Sequence, residues 1–182
     1  MLELALHILD IAENSVRAQA KTVTIAVTEE TPRDRLVIEI TDDGIGMSPE
    51  MLEKAMDPFY TSKKVRRVGL GLPMLAEAAN RSGGHFDIQS TQGRGTRLTV
   101  EFGLSHIDRQ PLGDVSGTLV TLIAGNPGVD FVYRHSCDGR IFLFDTREIK
   151  TELEGVPIDH IEVLKWIREH ITEGLSELGT HA

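Results

Sequence analysis

The sequence predicts an α/β protein, and three observations carry that prediction. Residues 2–18 form an amphipathic helical pattern in which Leu2, Ala5, Leu9, Ala12 and Val16 recur at helical spacing. Two alternating runs follow, Thr22 to Thr28 and Leu36 to Ile40, separated by the turn sequence Pro32-Arg33-Asp34. A helix from Leu70 to about Arg81 then leads into two more strand-like runs, His85 to Ser90 and Arg97 to Phe102.

Each element has a local cause. On the first helix, His7, Asp10, Asn14 and Arg17 are spaced by three and four residues and mark a polar face opposite the apolar one. Ser48 caps a short helix that runs to about Met56, with Pro49 and Glu50 in its first turn. Residues 57–69 are polar, basic and without periodicity, the pattern of a loop or lid. Pro73 is tolerated in the first turn of the next helix, and Gly83-Gly84 ends it. Gln92-Gly93-Arg94-Gly95 is the turn between the last two strands.

A boundary is expected near 103–113, dividing residues 1–103 from a smaller unit over 104–182. That unit is predicted to be α-β-β-α. It has a helix from Val115 to Ala124 capped by Asp114, then a hairpin around Cys137-Asp138-Gly139. A long amphipathic helix from Ile158 to Leu178 follows, with Ile161, Leu164, Ile167, Ile171 and Leu175 at spacings of three and four.

Composition narrows the function. The 182 residues carry a net charge of −9, which repels phosphate backbones and argues against nucleic acid as a partner. One cysteine, Cys137, cannot form an intrachain disulfide, which suits a reducing compartment. No apolar run approaches the ~20 residues of a membrane span, and the N-terminus has no basic start and long apolar core. A cytoplasmic protein without membrane contact is the expectation.

Four segments carry the chemistry. Leu9-Asp10-Ile11-Ala12-Glu13-Asn14-Ser15 puts an amide oxygen on a helix face. Asp42-Asp43-Gly44-Ile45-Gly46-Met47 puts a carboxylate and two glycines at a strand end. Asp57-Pro58-Phe59-Tyr60-Thr61-Ser62-Lys63 precedes Val68-Gly69-Leu70-Gly71-Leu72, and Gly93-Arg94-Gly95-Thr96 closes the set. Each is weak alone, since an Asp-Gly turn or an asparagine on a solvated helix is common. Their order and spacing resemble the GHKL ATPase superfamily, which includes histidine kinases, gyrase-type topoisomerases, MutL-type repair proteins and heat-shock chaperones.

The resemblance covers roughly residues 1–103. It implies an α/β (α+β) sandwich, a mixed sheet covered on one face by helices, with ATP and Mg²⁺ as cofactors. Asn14 matches the magnesium ligand, and Asp42 the carboxylate that accepts the exocyclic amine of adenine. Gly44, Gly46 and Met47 belong to the adenine box, and Thr96 is expected near Asp42. Thr61, Ser62, Lys63, Gly69, Leu70 and Gly71 are expected around the phosphates, the glycines at a helix N-terminus that favours anions. Lys63 is a catalytic candidate through the outer phosphates. Asp10, one turn before Asn14, matches the position where gyrase- and MutL-type ATPases carry a glutamate base, with one methylene fewer. Its bland alternative is to bind only a Mg²⁺-bound water or to pair with Arg17.

One part of the histidine-kinase pattern has no counterpart. Nothing ahead of residue 9 resembles the helical hairpin that bears the phosphorylated histidine, and His7 reads as a solvated or capping residue. Transfer of phosphate to a separate protein is therefore expected. The alternative is an ATP-dependent switch or ATPase that binds its partner without phosphorylating it. Residues 104–182 are expected to bind that partner or a second copy through the apolar face of the long helix, unless that face packs internally.

Overall fold

The protein is described by a computed structural model covering residues 3–57 and 71–180. Six helices, α1 (Leu4–Arg17), α2 (Pro49–Ala55), α3 (Gly71–Arg81), α4 (Val115–Gly125), α5 (Thr146–Glu152) and α6 (Ile161–Leu178), accompany six strands. These are β1 (Thr22–Glu30), β2 (Arg35–Asp42), β3 (His85–Thr91), β4 (Gly95–Gly103), β5 (Asp130–Cys137) and β6 (Arg140–Asp145). They form one mixed sheet in the order β3-β4-β2-β1-β5-β6. All neighbours are antiparallel except β1 and β5.

The alternation of apolar and polar residues decides which face is buried. Val23, Ile25 and Val27 of β1 pair across the ladders with Phe131, Tyr133 and His135 on one side and with Asp42, Ile40 and Ile38 on the other. All of these side chains are buried. The intervening threonines, Glu39, Arg97 and Arg134 lie on the opposite, more open face. The helices cover the buried face, as a sheet with one apolar side requires.

The local signals explain the helix ends. The Ser48 side chain accepts from the Met51 amide at the start of α2. The Asp114 side chain caps α4 by accepting from the Gly117 amide at 2.8 Å. A Cβ at Gly117 would strike that carboxylate, which accounts for a glycine inside this helix. α5 was not expected; its polar sequence has no apolar period, and its Asp145 cap is the main local cue.

Three readings of the sequence need correction. The buried side of α1 is Leu4, Ala5, Ile8, Ile11, Ala12 and Ser15, while Leu9 and Val16 are only partly buried. His7 is also buried, because the chain at 110–112 runs back along the start of α1, with Leu4 and Ala5 amides donating to the carbonyls of Pro111 and Leu112. The expected boundary near residue 103 does not divide the core. β5 adds to the sheet along β1 from Thr22 to Glu29, and the α4 side chains join the same apolar cluster as those of α1.

The apolar stripe of α6 is likewise used internally. Ile167 and Ile171 are fully buried, Leu164 and Leu175 pack partly against the core, and only Ile161 stands free. Deep in the core, the Tyr133 hydroxyl lies 2.7 Å from His135 Nδ1, and His135 Nε2 lies 2.7 Å from Glu29 Oε1. This fully buried chain of polar groups crosses the β1–β5 junction, where each member supplies the partner the next requires.

Candidate functional site

Asp42 of β2 and Thr96 of β4 meet at one end of the sheet, on its helix-covered side, where Ser15 of α1 reaches Asp42. Asp42 ends β2 and is 8% exposed. The Ser15 hydroxyl on α1 donates to its Oδ2 at 2.7 Å, and the Gly44 amide donates to its Oδ1 at 2.9 Å. Both oxygens are thus oriented by fixed donors while keeping lone pairs to spare. Thr96 lies directly across from Asp42 in the β2–β4 ladder. Its hydroxyl is 2.9 Å from that of Ser90.

The loop after β2 is held from three directions. Asp43 accepts from the Lys21 and Thr22 amides at 2.7 and 2.9 Å, tying the loop to the start of β1. The Thr22 amide, together with the Lys21 amide, holds the Asp43 carboxyl below its ordinary range. The Ile45 amide donates to the Ala18 carbonyl, and the Met47 amide to Ser90 Oγ at 2.8 Å. Gly46 and Gly95 have φ of 63° and 90°. A Cβ at Gly46 would strike the Thr91 carbonyl, and one at Gly95 the Asp42 carbonyl. Here the glycines serve the close approach of loop and strand backbones.

Asn14 sits on the exposed side of α1. Its amide oxygen accepts from Arg17 Nη1 at 2.8 Å, and Arg17 Nη2 also pairs with Glu13 at 2.8 Å. Arg17 is therefore taken by Glu13 and Asn14, which removes the Asp10–Arg17 pairing considered as the bland role for Asp10. Asp10 instead stands against the first residue of α3, where a Cβ on Gly71 would run into its carboxylate. Thr61, Ser62, Lys63, Gly69 and Leu70 lie outside the described residues.

His7, one turn before Asp10, is 2% exposed; its Nε2 is 3.2 Å from Gln110 Oε1 and its Nδ1 has no partner. Burial lowers its pKa below the ordinary 6.5, against the weaker upward pull of Gln110. A neutral imidazole is therefore the native form. The stability it contributes is present above pH 6.5 and is lost as pH falls from there toward the folded-state value. His7→Gln is expected to lose less stability than the parent between pH 7.5 and 5.5, read by thermal unfolding; equal losses would remove His7 from the acid response.

Sequence reasoning missed Ser15, Asp43 and Ser90. A serine within a helix and one at a strand end carry no signal of their own, and their roles exist only once α1, β2 and β3 are together. A shallow depression of about 170 Å³, lined by Thr41, Gln89, Arg94 and Arg97 among others, opens near the same strand ends. It is smaller than the ~300–1,000 Å³ of ordinary ligand pockets, and it meets the site only through residues such as Asp42 and Thr96.

The family described as "Histidine kinase-, DNA gyrase B-, and HSP90-like ATPase" matches residues 2–106. The chain belongs to this family. Its domain is an ATP-binding one of the kind found in histidine kinases. The sensor histidine kinase ZraS of Salmonella typhimurium is 32% identical over 94 residues, covering 51% of this chain and 20% of that protein. Sporulation kinase D of Bacillus subtilis is 31% identical over 98 residues, covering 54% of this chain and 19% of the kinase. The chain thus spans about a fifth of the length of these curated relatives. In fold, it is similar to the N-terminal domain of a DNA repair protein, with a TM-score of 0.54 at 16% identity. That likeness covers 79% of this chain and 52% of the other, so it takes in C-terminal residues beyond the family match.

Proposed function

We propose that the chain is a Mg–ATP-dependent signalling kinase of the cytoplasm that passes the γ-phosphoryl group to a separate protein. The observation that carries this reading is the buried Asp42 carboxylate. Ser15 and Gly44 hold it in place, and it presents acceptor capacity at the strand end where the family's adenine carboxylate belongs. The kinase assignment draws on the curated relatives, whose names describe sensor and sporulation kinases.

The residues present fit magnesium that arrives with the nucleotide. Asn14 offers a hard, neutral oxygen, and Arg17, which now donates to it, is half exposed and can swing into water at little cost. Among the described residues no cluster of three or more carboxylates, histidines or cysteines could hold a metal alone. Phosphate oxygens would supply the remaining ligands, in keeping with magnesium's preference for few protein ligands and several waters. When bound, the ion neutralises charge on the phosphates. Asn14 would hold it and Asp42 would orient the base, while the start of α3 at Gly71 would offer the phosphates the positive end of a helix dipole.

The second reading, a switch that hydrolyses ATP slowly, draws on Asp10. Its carboxylate lies against Gly71, at the start of α3, on the same side of α1 as Asn14. A base must come within hydrogen-bond reach of the attacking water, and Asp10 is the candidate for that role. Asp10→Asn keeps the shape and removes the base. It is expected to cut phosphate release about tenfold or more while ATP affinity changes only a few-fold; release equal to the parent's would exclude Asp10 as the base. The experiment that separates the two readings is incubation with γ-labelled ATP and cell extract. Label on a protein supports the kinase; label only in free phosphate supports the switch.

A further inference from the structure

The sheet has two edges, and they are built differently. On β3 the open face carries His85, Asp87, Gln89 and Thr91, all exposed and polar. On β6 the same face carries Ile141 and Leu143, which are 57% and 56% exposed. Free edges are normally blunted by lysine, proline, bulges or inward charges, and β6 has none of these between Arg140 and Asp145.

The hairpin fixes which backbone groups of β6 face outward. Asp138 and Gly139, with φ of 47° and 87°, make a two-residue turn of the primed kind closed by Cys137 and Arg140. The closing pair of such a turn exchanges both of its hydrogen bonds. Arg140, Phe142 and Phe144 therefore bond inward to β5, while Ile141, Leu143 and Asp145 aim their N–H and C=O groups away from the sheet. Among the described residues, no backbone bond outside the β5 ladder takes these groups up.

We propose that β6 is the interface between two copies of this chain, paired antiparallel about a two-fold axis through Phe142. In this register Ile141 stands opposite Leu143 of the second copy, and Leu143 opposite its Ile141. The outward backbone groups of each meet those of the other, and the two exposed apolar side chains cover one another. Phe142 stands opposite its own copy on the helix side. There the apolar surface continues into Trp166, 47% exposed and stacked on His170 at 4.9 Å, with His170 itself against Phe142 and Phe144.

The occupant is a second copy because the strand complements itself. A two-fold axis normal to the sheet keeps the helix layers of both copies on one side, and opposed residues of like parity keep apolar against apolar. The strand itself carries one residue of each sign, Arg140 and Asp145, so the net charge of −9 is not concentrated along this edge. The inference does not depend on whether the chain is a kinase or a switch.

The test uses the full chain. Light scattering over a concentration series should show a dimer that dissociates on dilution. Amide exchange on the unmodified protein should show the Ile141 and Leu143 amides slow when concentrated and fast when dilute, with the outward amides of β3 fast throughout. Leu143→Lys should raise the dissociation constant about tenfold or more, with ATP affinity unchanged. A protein monomeric at every concentration would overturn the proposal. So would a dimer that persists in Leu143→Lys, or one whose Ile141 and Leu143 amides exchange rapidly, as pairing through another surface requires. If Leu143→Lys fails to fold, exchange on the parent decides.

Discussion

Asp42→Asn is expected to weaken ATP and ADP binding alike by about tenfold to over a hundredfold, with the fold intact. The substitution leaves shape and volume nearly unchanged but turns one acceptor oxygen into a donor. The folded protein can absorb that change. The new oxygen can still accept from the Gly44 amide, and the Ser15 hydroxyl can turn to accept from the new amide. The donor role Ser15 gives up is not lost, because its hydroxyl already lies 3.3 Å from the Ile11 carbonyl. An adenine amine bound to the oxygen that becomes NH₂ has no such freedom: a donor would face a donor. An unmet buried polar group costs about 1–3 kcal/mol, and ~1.4 kcal/mol is a factor of ten in affinity. Calorimetry giving equal affinities would remove Asp42 from the site, and thermal unfolding of the same sample tests the claim that the fold survives.

Deletion of residues 104–182 is expected to abolish soluble, folded protein, although the family match ends at residue 106. A chain divided at a domain boundary would tolerate the cut, as the sequence suggested. Here the cut strips an eight-residue parallel ladder from β1 and uncovers the side of α1 that packs on α4. It also leaves Glu29 buried beside a sheet edge without His135. Each large apolar side chain returned to water costs about 1.5–3 kcal/mol, against a total stability of ~5–15 kcal/mol for a domain. A truncated protein with a cooperative unfolding transition and parental ATP affinity would show that the N-terminal portion stands alone.

What the sequence disclosed and what it withheld follow a physical line. The placement of Asp42, Gly44, Gly46 and Thr96 at a strand end and its tight loops was legible because both features are local. The hairpins and every helix but α5 were legible for the same reason, since period and turn chemistry act over a few residues. The β1–β5 pairing was not, because nothing in Thr22–Glu30 says which distant strand will lie beside it. His7 was misplaced on solvent because its helix face looks polar, and only the return of residues 110–112 covers it. Ser15 was passed over because a serine among helix residues declares nothing until a carboxylate arrives from β2.

The parallel ladder also bears on how the molecule is made. Thr22 is registered with Asp130, more than a hundred residues later in the chain. During synthesis the first four strands and α1 leave the ribosome well before the partner of β1 exists, so one flank of that strand waits unpaired. Non-local parallel pairing is intrinsically slow to form, and an unpaired strand edge is a site of aggregation while it lasts. The sheet should therefore be completed only after Cys137 has emerged, with the open flank of β1 exposed until then.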